Sequence, residues 1–256
     1  MSRILVTGSS SGLGFLAGQR LLQAGHDVIF HARSGDKAQA LRRELQADIK
    51  CVIGDFSVSS DMLATAYAVN EIGNVDAVIH NAGAGYGRGI DRTQEGLPTI
   101  FAVNVLAPYV LTAKIASPAR LVYLSSSMHR VSAALDDALW QKRDWRGSQA
   151  YSESKLYVTA LAFAVARLRP DRFSNAVDPG WVPTRMGGAE ALDDLEAGVA
   201  TQVALASAET GPLAGLTGEY LHHKKVASPQ ASTRDIRLQE SVLRLCRESS
   251  GIDMER

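Results

Sequence analysis

The stretch Arg3-Ile-Leu-Val-Thr-Gly-Ser-Ser-Ser-Gly-Leu-Gly14 decides how the rest of the chain is read. Residues 4–6 are a short apolar run that predicts a buried strand. Residues 15–24 carry helical spacing, with apolar Leu13, Leu16, Ala17, Leu21 and Leu22 on one side. Strand, Gly-rich turn and helix in that order form the first half of a dinucleotide-binding βαβ unit. Gly8 suits the tight turn out of the strand, Gly12 the close approach of backbone to a pyrophosphate, and Gly14 the packing of helix on sheet. Free N–H groups at the helix start face the anion. Ser9, Ser10 and Ser11 add hydroxyl donors, and Leu13 adds a backbone N–H within the loop.

Downstream, strands and helices alternate. Strands are predicted at 27–31, 49–53, 76–79, 120–124, 173–177 and 219–221, and helices at 36–46, 58–69, 98–114, 151–168, 195–206 and about 235–247. This pattern predicts an α/β fold: a doubly wound parallel sheet of seven strands, order 3-2-1-4-5-6-7, with helices on both faces. No repeat, linker or low-complexity segment interrupts it, so residues 1–256 are expected to form one domain, with a substrate loop at about 185–195. After the second strand comes Ala32-Arg33-Ser34, with no carboxylate. An acidic residue there would bind the ribose 2′-OH of NAD, whereas an arginine accommodates the 2′-phosphate of NADP. Arg33 and the missing acid both favour NADP(H) over NAD(H).

The chain has 256 residues, 46% hydrophobic and 21% charged, with 27 Lys+Arg against 27 Asp+Glu. Zero net charge gives no footprint for nucleic acid or an anionic membrane. Cys51 and Cys246 match no metal spacing and read as free thiols, so no metal is expected. No apolar run is long enough to span a bilayer. The first strand begins too early for a signal peptide, and a cytoplasmic location is expected.

The glycine spacing Thr7-Gly8-x-x-x-Gly12-x-Gly14 resembles the short-chain dehydrogenase/reductase family, and further segments carry the same resemblance over roughly residues 3–221. His80-Asn81-Ala82-Gly83 is similar to that family's N-N-A-G motif, with His80 in place of the first Asn. Phe101-Ala-Val-Asn104 matches a helix whose Asn locally opens the turn and holds a water. Pro179-Gly180-Trp-Val182-Pro-Thr184 is similar to a P-G-x-V-x-T segment. The resemblance implies that Asn81, Ala82 and Gly83 lie beneath the cofactor, and that Val182 and Thr184, following Pro179 and Gly180, hold its carboxamide. It implies that Asp55, with Phe56 beside it, contacts the adenine. Asp55 reads equally well as a helix cap.

Tyr151 and Lys155 stand four apart on one helix, so they share a face. Carbonyl reduction needs a proton donor for the developing alkoxide, and a free Tyr, with a pKa of about 10, needs help to act near neutrality. A neighbouring cation lowers that pKa, and a serine hydroxyl can share the oxyanion. By the resemblance, Tyr151 is the acid/base, Lys155 its modifier and ribose binder, Ser126 the carbonyl orienter and Asn104 the relay. The long gap from Ser126 to Tyr151 resembles the retinol-dehydrogenase-like and carbonyl-reductase-like branches. His129 lines the substrate pocket or is a structural donor; both readings fit. Tyr86, Arg88, Met128, Trp181 and the 185–195 loop are expected around a small-molecule carbonyl or alcohol. The insertion at 130–149, with Trp140 and Trp145, is expected to cover the helix that a second subunit would use, which favours a monomer or weak dimer over a tetramer. The rival reading is a non-catalytic NADP-binding sensor on the same fold.

Overall fold

The computed structural model describes residues 1–254 apart from 88 and 117. Its elements run β1 (Arg3–Val6), α1 (Gly12–Gln23), β2 (Asp27–Ala32), α2 (Gly35–Leu45), β3 (Lys50–Ile53), α3 (Ser59–Ile72), β4 (Ala77–His80), α4 (Thr99–Phe101), a π-helical turn (Ala102–Leu106) and α5 (Ala107–Lys114). They continue through β5 (Arg120–Leu124), α6 (Gly147–Leu168), β6 (Phe173–Asp178), α7 (Leu195–Ser207), β7 (Tyr220–His222), β8 (Lys225–Val226) and α8 (Ile236–Ser250). The sheet order is β3-β2-β1-β4-β5-β6-β7-β8. Pairing is parallel through β7.

The expectation of seven strands is corrected to eight. The added strand, β8, is only two residues long and pairs antiparallel with β7. The turn between them holds His223 and Lys224 at φ of 46° and 63°. Neither residue is a Gly or Asn, the usual sign of a left-handed hairpin turn.

Side chains alternate across the sheet and feed two cores. Leu5, Ile29, Val78, Leu121, Tyr123 and Ala176 point to one face, against residues of α3, α5, α6 and α8. Ile4, Val6, Val28, Phe30, Ala77, Ile79, Val122, Leu124 and Val177 point to the other, against α1 and α7. Both faces are covered, which is why these strands read as continuous apolar runs.

Two helix starts differ from expectation. Helix α1 begins at Gly12 itself, so its first turn is built from the glycine motif. Helix α6 begins at Gly147, after an extended Arg146, so Tyr151 lies in its second turn rather than at its start. Close helix-to-sheet packing belongs to Gly18, where a Cβ would strike the Phe30 ring. At Gly14 a Cβ would collide with the Asn81 amide and lie 2.5 Å from the Gly8 carbonyl oxygen. Cys246 is buried and Cys51 half-buried, and both are free thiols.

Candidate active site

The carboxyl ends of β1, β4, β5 and β6 meet at one edge of the sheet, and the chain leaves each of them through a segment singled out above. At β1, Gly8 and Gly12 adopt φ of 62° and 60°, open only to glycine without strain. Asn81 ties this loop to β4: its Nδ2 donates to the Thr7 carbonyl at 2.9 Å and the Gly8 carbonyl at 3.2 Å. Thr7 Oγ1 accepts from the N–H groups of Asn81 and Ala82, both at 3.0 Å. The motif residues Asn81 and Ala82 therefore brace the glycine loop, while Gly83 lies beside Asn104 and Met186.

His31, not singled out from sequence, completes this brace. Its Nδ1 accepts from the Gly8 N–H at 2.8 Å and its Nε2 donates to the Gly54 carbonyl at 3.0 Å, a pairing that requires the neutral ring. It stacks on Phe56 at 4.2 Å, which places Phe56 in the interior. Burial pulls the His31 pKa down to about 4. The alternating pattern of a strand gave no reason to separate this His from its apolar neighbours.

Asp55 Oδ1 accepts from Ser57 N–H and Oγ at 2.9 and 2.8 Å, so it caps a turn ahead of α3, whose N-cap is Val58. Arg33 is exposed and makes no ion pair among the described residues. Ser10 is half-buried in the loop, and Ser11 is the N-cap of α1 without making a capping bond of its own. Gly12 and Leu13 begin the helix behind it. A cradle with left-handed glycines, uncapped N–H groups and an unpaired arginine at its edge fits a dinucleotide carrying phosphate.

Asn104 sits in the π-helical turn, so the helix does open around it. Its Nδ2 donates to the Ala84 carbonyl at 3.1 Å and to Ser154 Oγ at 3.0 Å, and its Oδ1 accepts from Ala84 N–H at 2.7 Å. It thus joins the loop after β4 to α6. His80 departs from the family motif without a role in this chemistry: it is buried, contacts Thr112 Oγ1 at 3.2 Å through Nε2, and stacks on Tyr123. Burial lowers its pKa to about 3.

Tyr151 and Lys155 face the end of β5. Lys155 Nζ donates to the Leu124 carbonyl at 2.7 Å and lies 5.6 Å from the centre of the Tyr151 ring. Burial lowers the Lys155 pKa to about 8, opposed by the charge of Asp178. The Tyr151 pKa moves the other way, up to about 12. Burial is the main cause, Asp178 and Tyr86 add to it, and a hydrogen bond with Ser126 opposes it. Ser125 is excluded from this group, because its Oγ is buried against Thr159 Oγ1 at 2.7 Å. Ser126, half-buried, caps the following turn at Met128 N–H (3.2 Å) and faces Tyr151. His129 is fully buried. Its Nδ1 donates to the Ser126 carbonyl at 2.7 Å and its Nε2 accepts from Gln230 N–H at 2.9 Å, so of the two readings it is the structural donor.

After β6, Gly180 N–H donates to Asp178 Oδ1 at 2.9 Å, Val182 is buried, and Thr184 Oγ1 accepts from Gly187 N–H at 3.1 Å. The Thr184 methyl lies 3.6 Å from where a Gly12 Cβ would stand, which places Pro179-Gly180-Trp-Val-Pro-Thr184 across the cleft from the glycine loop. Arg185 Nη2 donates to Ser11 Oγ at 2.6 Å. Met186 lies over Gly83 and Gly85, with its Sδ 3.9 Å from Tyr151 Oη. Tyr86 tilts against Tyr151 at 5.8 Å, and Trp181 Nε1 donates to the Gly187 carbonyl at 2.8 Å. Tyr86, Met128, Trp181, Met186 and Leu192 are exposed, and of these Tyr86 and Met186 lie against Tyr151. Arg88, expected here too, lies outside the described residues. Arg185 and Met186 were not singled out from sequence, since nothing local distinguishes them from other residues of an exposed loop.

A sequence model described as short chain dehydrogenase matches residues 2–194. Similar proteins include the short-chain dehydrogenases chry4 of Gibberella zeae and chyC of Penicillium rubens, each 36% identical over 99% of both chains. Human retinol dehydrogenase 14 is 30% identical over 72% of this chain and 62% of its own. Among solved structures, NADPH-bound carbonyl reductase from chicken fatty liver is 25% identical with a TM-score of 0.67, over 89% of this chain and 99% of that one. An uncharacterised protein of Mycobacterium paratuberculosis shares the fold with a TM-score of 0.86 at 21% identity, over 100% of this chain and 96% of its own.

Proposed function

The chain belongs to the short-chain dehydrogenase family, and from that premise we propose that it is an NADP(H)-dependent oxidoreductase that interconverts a carbonyl and an alcohol. The observation that carries the proposal is the placing of Tyr151, Lys155 and Ser126 around one point at the end of β5, opposite the glycine loop. Bound NADP(H) supplies or accepts the hydride. Tyr151 Oη gives the proton to the carbonyl oxygen, and Ser126 Oγ donates a second hydrogen bond to that oxygen. Lys155 holds positive charge beneath the Tyr151 ring, which favours tyrosinate when the proton leaves. Asn104 fixes the loop after β4 against α6, so the floor of the site and the acid/base move as one piece.

Arg33 supports NADP(H), because it is exposed just after β2, makes no ion pair among the described residues, and has no carboxylate beside it at residues 32–34. Exposed Tyr86 and Met186 beside Tyr151 support a substrate with an apolar body and a single polar reacting group. No helix among the described residues is long and apolar enough to cross a membrane, and we place the enzyme in the cytoplasm as a monomer or weak dimer. The segment 130–149 is clamped onto α6: Arg143 pairs with buried Glu153 at 2.7 and 2.5 Å and stacks on Trp140 at 3.7 Å. Leu156, Ala160, Phe163 and Ala164 of α6 are all buried within the one chain, so that helix offers no apolar face to a second.

Turnover of NADPH with a panel of apolar ketones and aldehydes tests the proposal. Cofactor oxidation that depends on the carbonyl is expected. An enzyme that binds NADPH tightly and consumes none with any member of the panel would instead be the non-catalytic sensor.

A further inference from the structure

Asp178 is a buried carboxylate at the end of a central strand, and no role assigned so far uses it. The strand register sets Val177 beside Leu124, and Ser125 N–H donates to the Val177 carbonyl at 2.7 Å. Asp178 therefore lies next to the carbonyl that holds Lys155 Nζ and to the serines that follow β5. Its carboxylate is fixed at both oxygens: Oδ1 accepts from Gly180 N–H at 2.9 Å, and Oδ2 accepts from Tyr220 Oη at 2.9 Å. His222 Nδ1 stands 3.2 Å from the Asp178 carbonyl oxygen and 3.8 Å from Oδ2.

Lys155 has no carboxylate within ion-pair distance among the described residues; Asp178, one residue past the Val177 that pairs with Leu124, is the carboxylate whose charge acts on it. The other charged or titratable groups around the pair are Tyr220 and His222 on β7, His129 and Arg130 after β5, Tyr86 after β4, and Asp193, whose Oδ2 accepts from Trp181 N–H at 2.6 Å. His129 is committed to two hydrogen bonds as a neutral ring, and Asp193 is committed to the loop backbone.

We propose that Asp178 is a positioning residue that acts through the Tyr151–Lys155 pair: its fixed negative charge holds both groups in their protonated forms and so sets the pH at which the site donates a proton to a carbonyl and at which it accepts one from an alcohol. This rests on the reading of Tyr151 as acid/base. The physical argument does not depend on how the proton is shared between Tyr151 and Lys155. Removing a nearby negative charge makes every proton of a coupled pair easier to lose, so both apparent pKa values of the pair fall.

The test is the pH dependence of kcat/KM in both directions for Asp178→Asn, with Asp178→Ser as a second variant should the first fail to fold. Both are made in the His222→Gln background, which removes the neighbouring imidazole as a source of inflections. The rising limb for alcohol oxidation and the falling limb for carbonyl reduction should both move to lower pH, by about one unit. Asp178→Glu, which restores the charge, should return the limbs toward their original positions. An ultraviolet difference titration of tyrosinate, parent minus Tyr151→Phe, reads the same shift without turnover. A variant whose rate falls while its limbs and its tyrosinate titration stay in place would overturn the proposal and leave Asp178 a structural residue. Activity retained by Tyr151→Phe would instead remove the reading beneath it.

Discussion

Acid should weaken this fold well before its carboxylates protonate, because buried histidines must stay neutral, His31 and His80 most strongly. His31 and His80 are each 3% exposed, and burial lowers their pKa values to about 4 and about 3. An unfolded His titrates at about 6.5. Between those values the unfolded chain binds protons that the folded chain refuses, so the stabilisation is fully present above about pH 6.5 and is lost as pH falls toward the folded values. Each histidine contributes a slope of about 1.4 kcal/mol per pH unit in that window, and together they remove about 4 kcal/mol by about pH 5. Domains are commonly stable by only about 5–15 kcal/mol, so the loss is a large share. Protonated His31 could no longer accept from Gly8 N–H, so the glycine loop would loosen with it. Urea unfolding followed from about pH 8 to about pH 5 measures the slope. His31→Gln combined with His80→Asn should remove most of it, leaving the smaller contribution of His129. A parent profile already flat across this range, or a slope undiminished in the double variant, would refute the reasoning.

Arg33→Ala should weaken NADPH binding about ten- to a hundredfold and leave NADH nearly unchanged, since a charge-assisted bond to phosphate is worth about 1.5–3 kcal/mol; equal losses for the two cofactors, measured by fluorescence titration, would show that Arg33 acts elsewhere. Gly14→Ala forces a Cβ against the Asn81 amide and the Gly8 carbonyl, and should cost about 1–3 kcal/mol in the unfolding midpoint as overpacking does, together with dinucleotide affinity; an unchanged midpoint contradicts this. Light scattering over a concentration series should report a mass near 27.4 kDa, and a stable tetramer at micromolar protein would contradict the covered α6 surface.

The centre of the fold was legible because parallel strands covered on both faces must be apolar runs, and a strand meeting Gly8, Gly12 and Gly14 has few other uses. Tyr151, Lys155, Asn104 and Ser126 were grouped by the family resemblance; only Ser126 lies just past a strand, whereas Asn104 sits inside a helical run and Tyr151 and Lys155 share a face of one helix. What escaped the reading depended on long-range partners. Lys225–Val226 is too short to carry a pattern, and its turn uses residues that do not advertise a left-handed backbone. His129 could be decided only when Gln230, about a hundred residues away in sequence, proved to donate to it. His31 and Asp178 look in sequence like a residue inside a strand and a turn former. Their partners, Gly8 and Gly54 for one and Tyr220 for the other, come from remote strands and loops.

The most direct test of the central claim is single-turnover hydride transfer from NADPH to an accepted carbonyl in Tyr151→Phe, with NADPH affinity and unfolding midpoint measured on the same preparation. Only the phenolic oxygen is removed, so affinity and midpoint should stay close to the parent while the transfer rate falls by about 10²–10⁴-fold, the usual contribution of a positioned general acid. A variant that keeps more than about a tenth of the parent rate would contradict the assignment of Tyr151 as the proton donor.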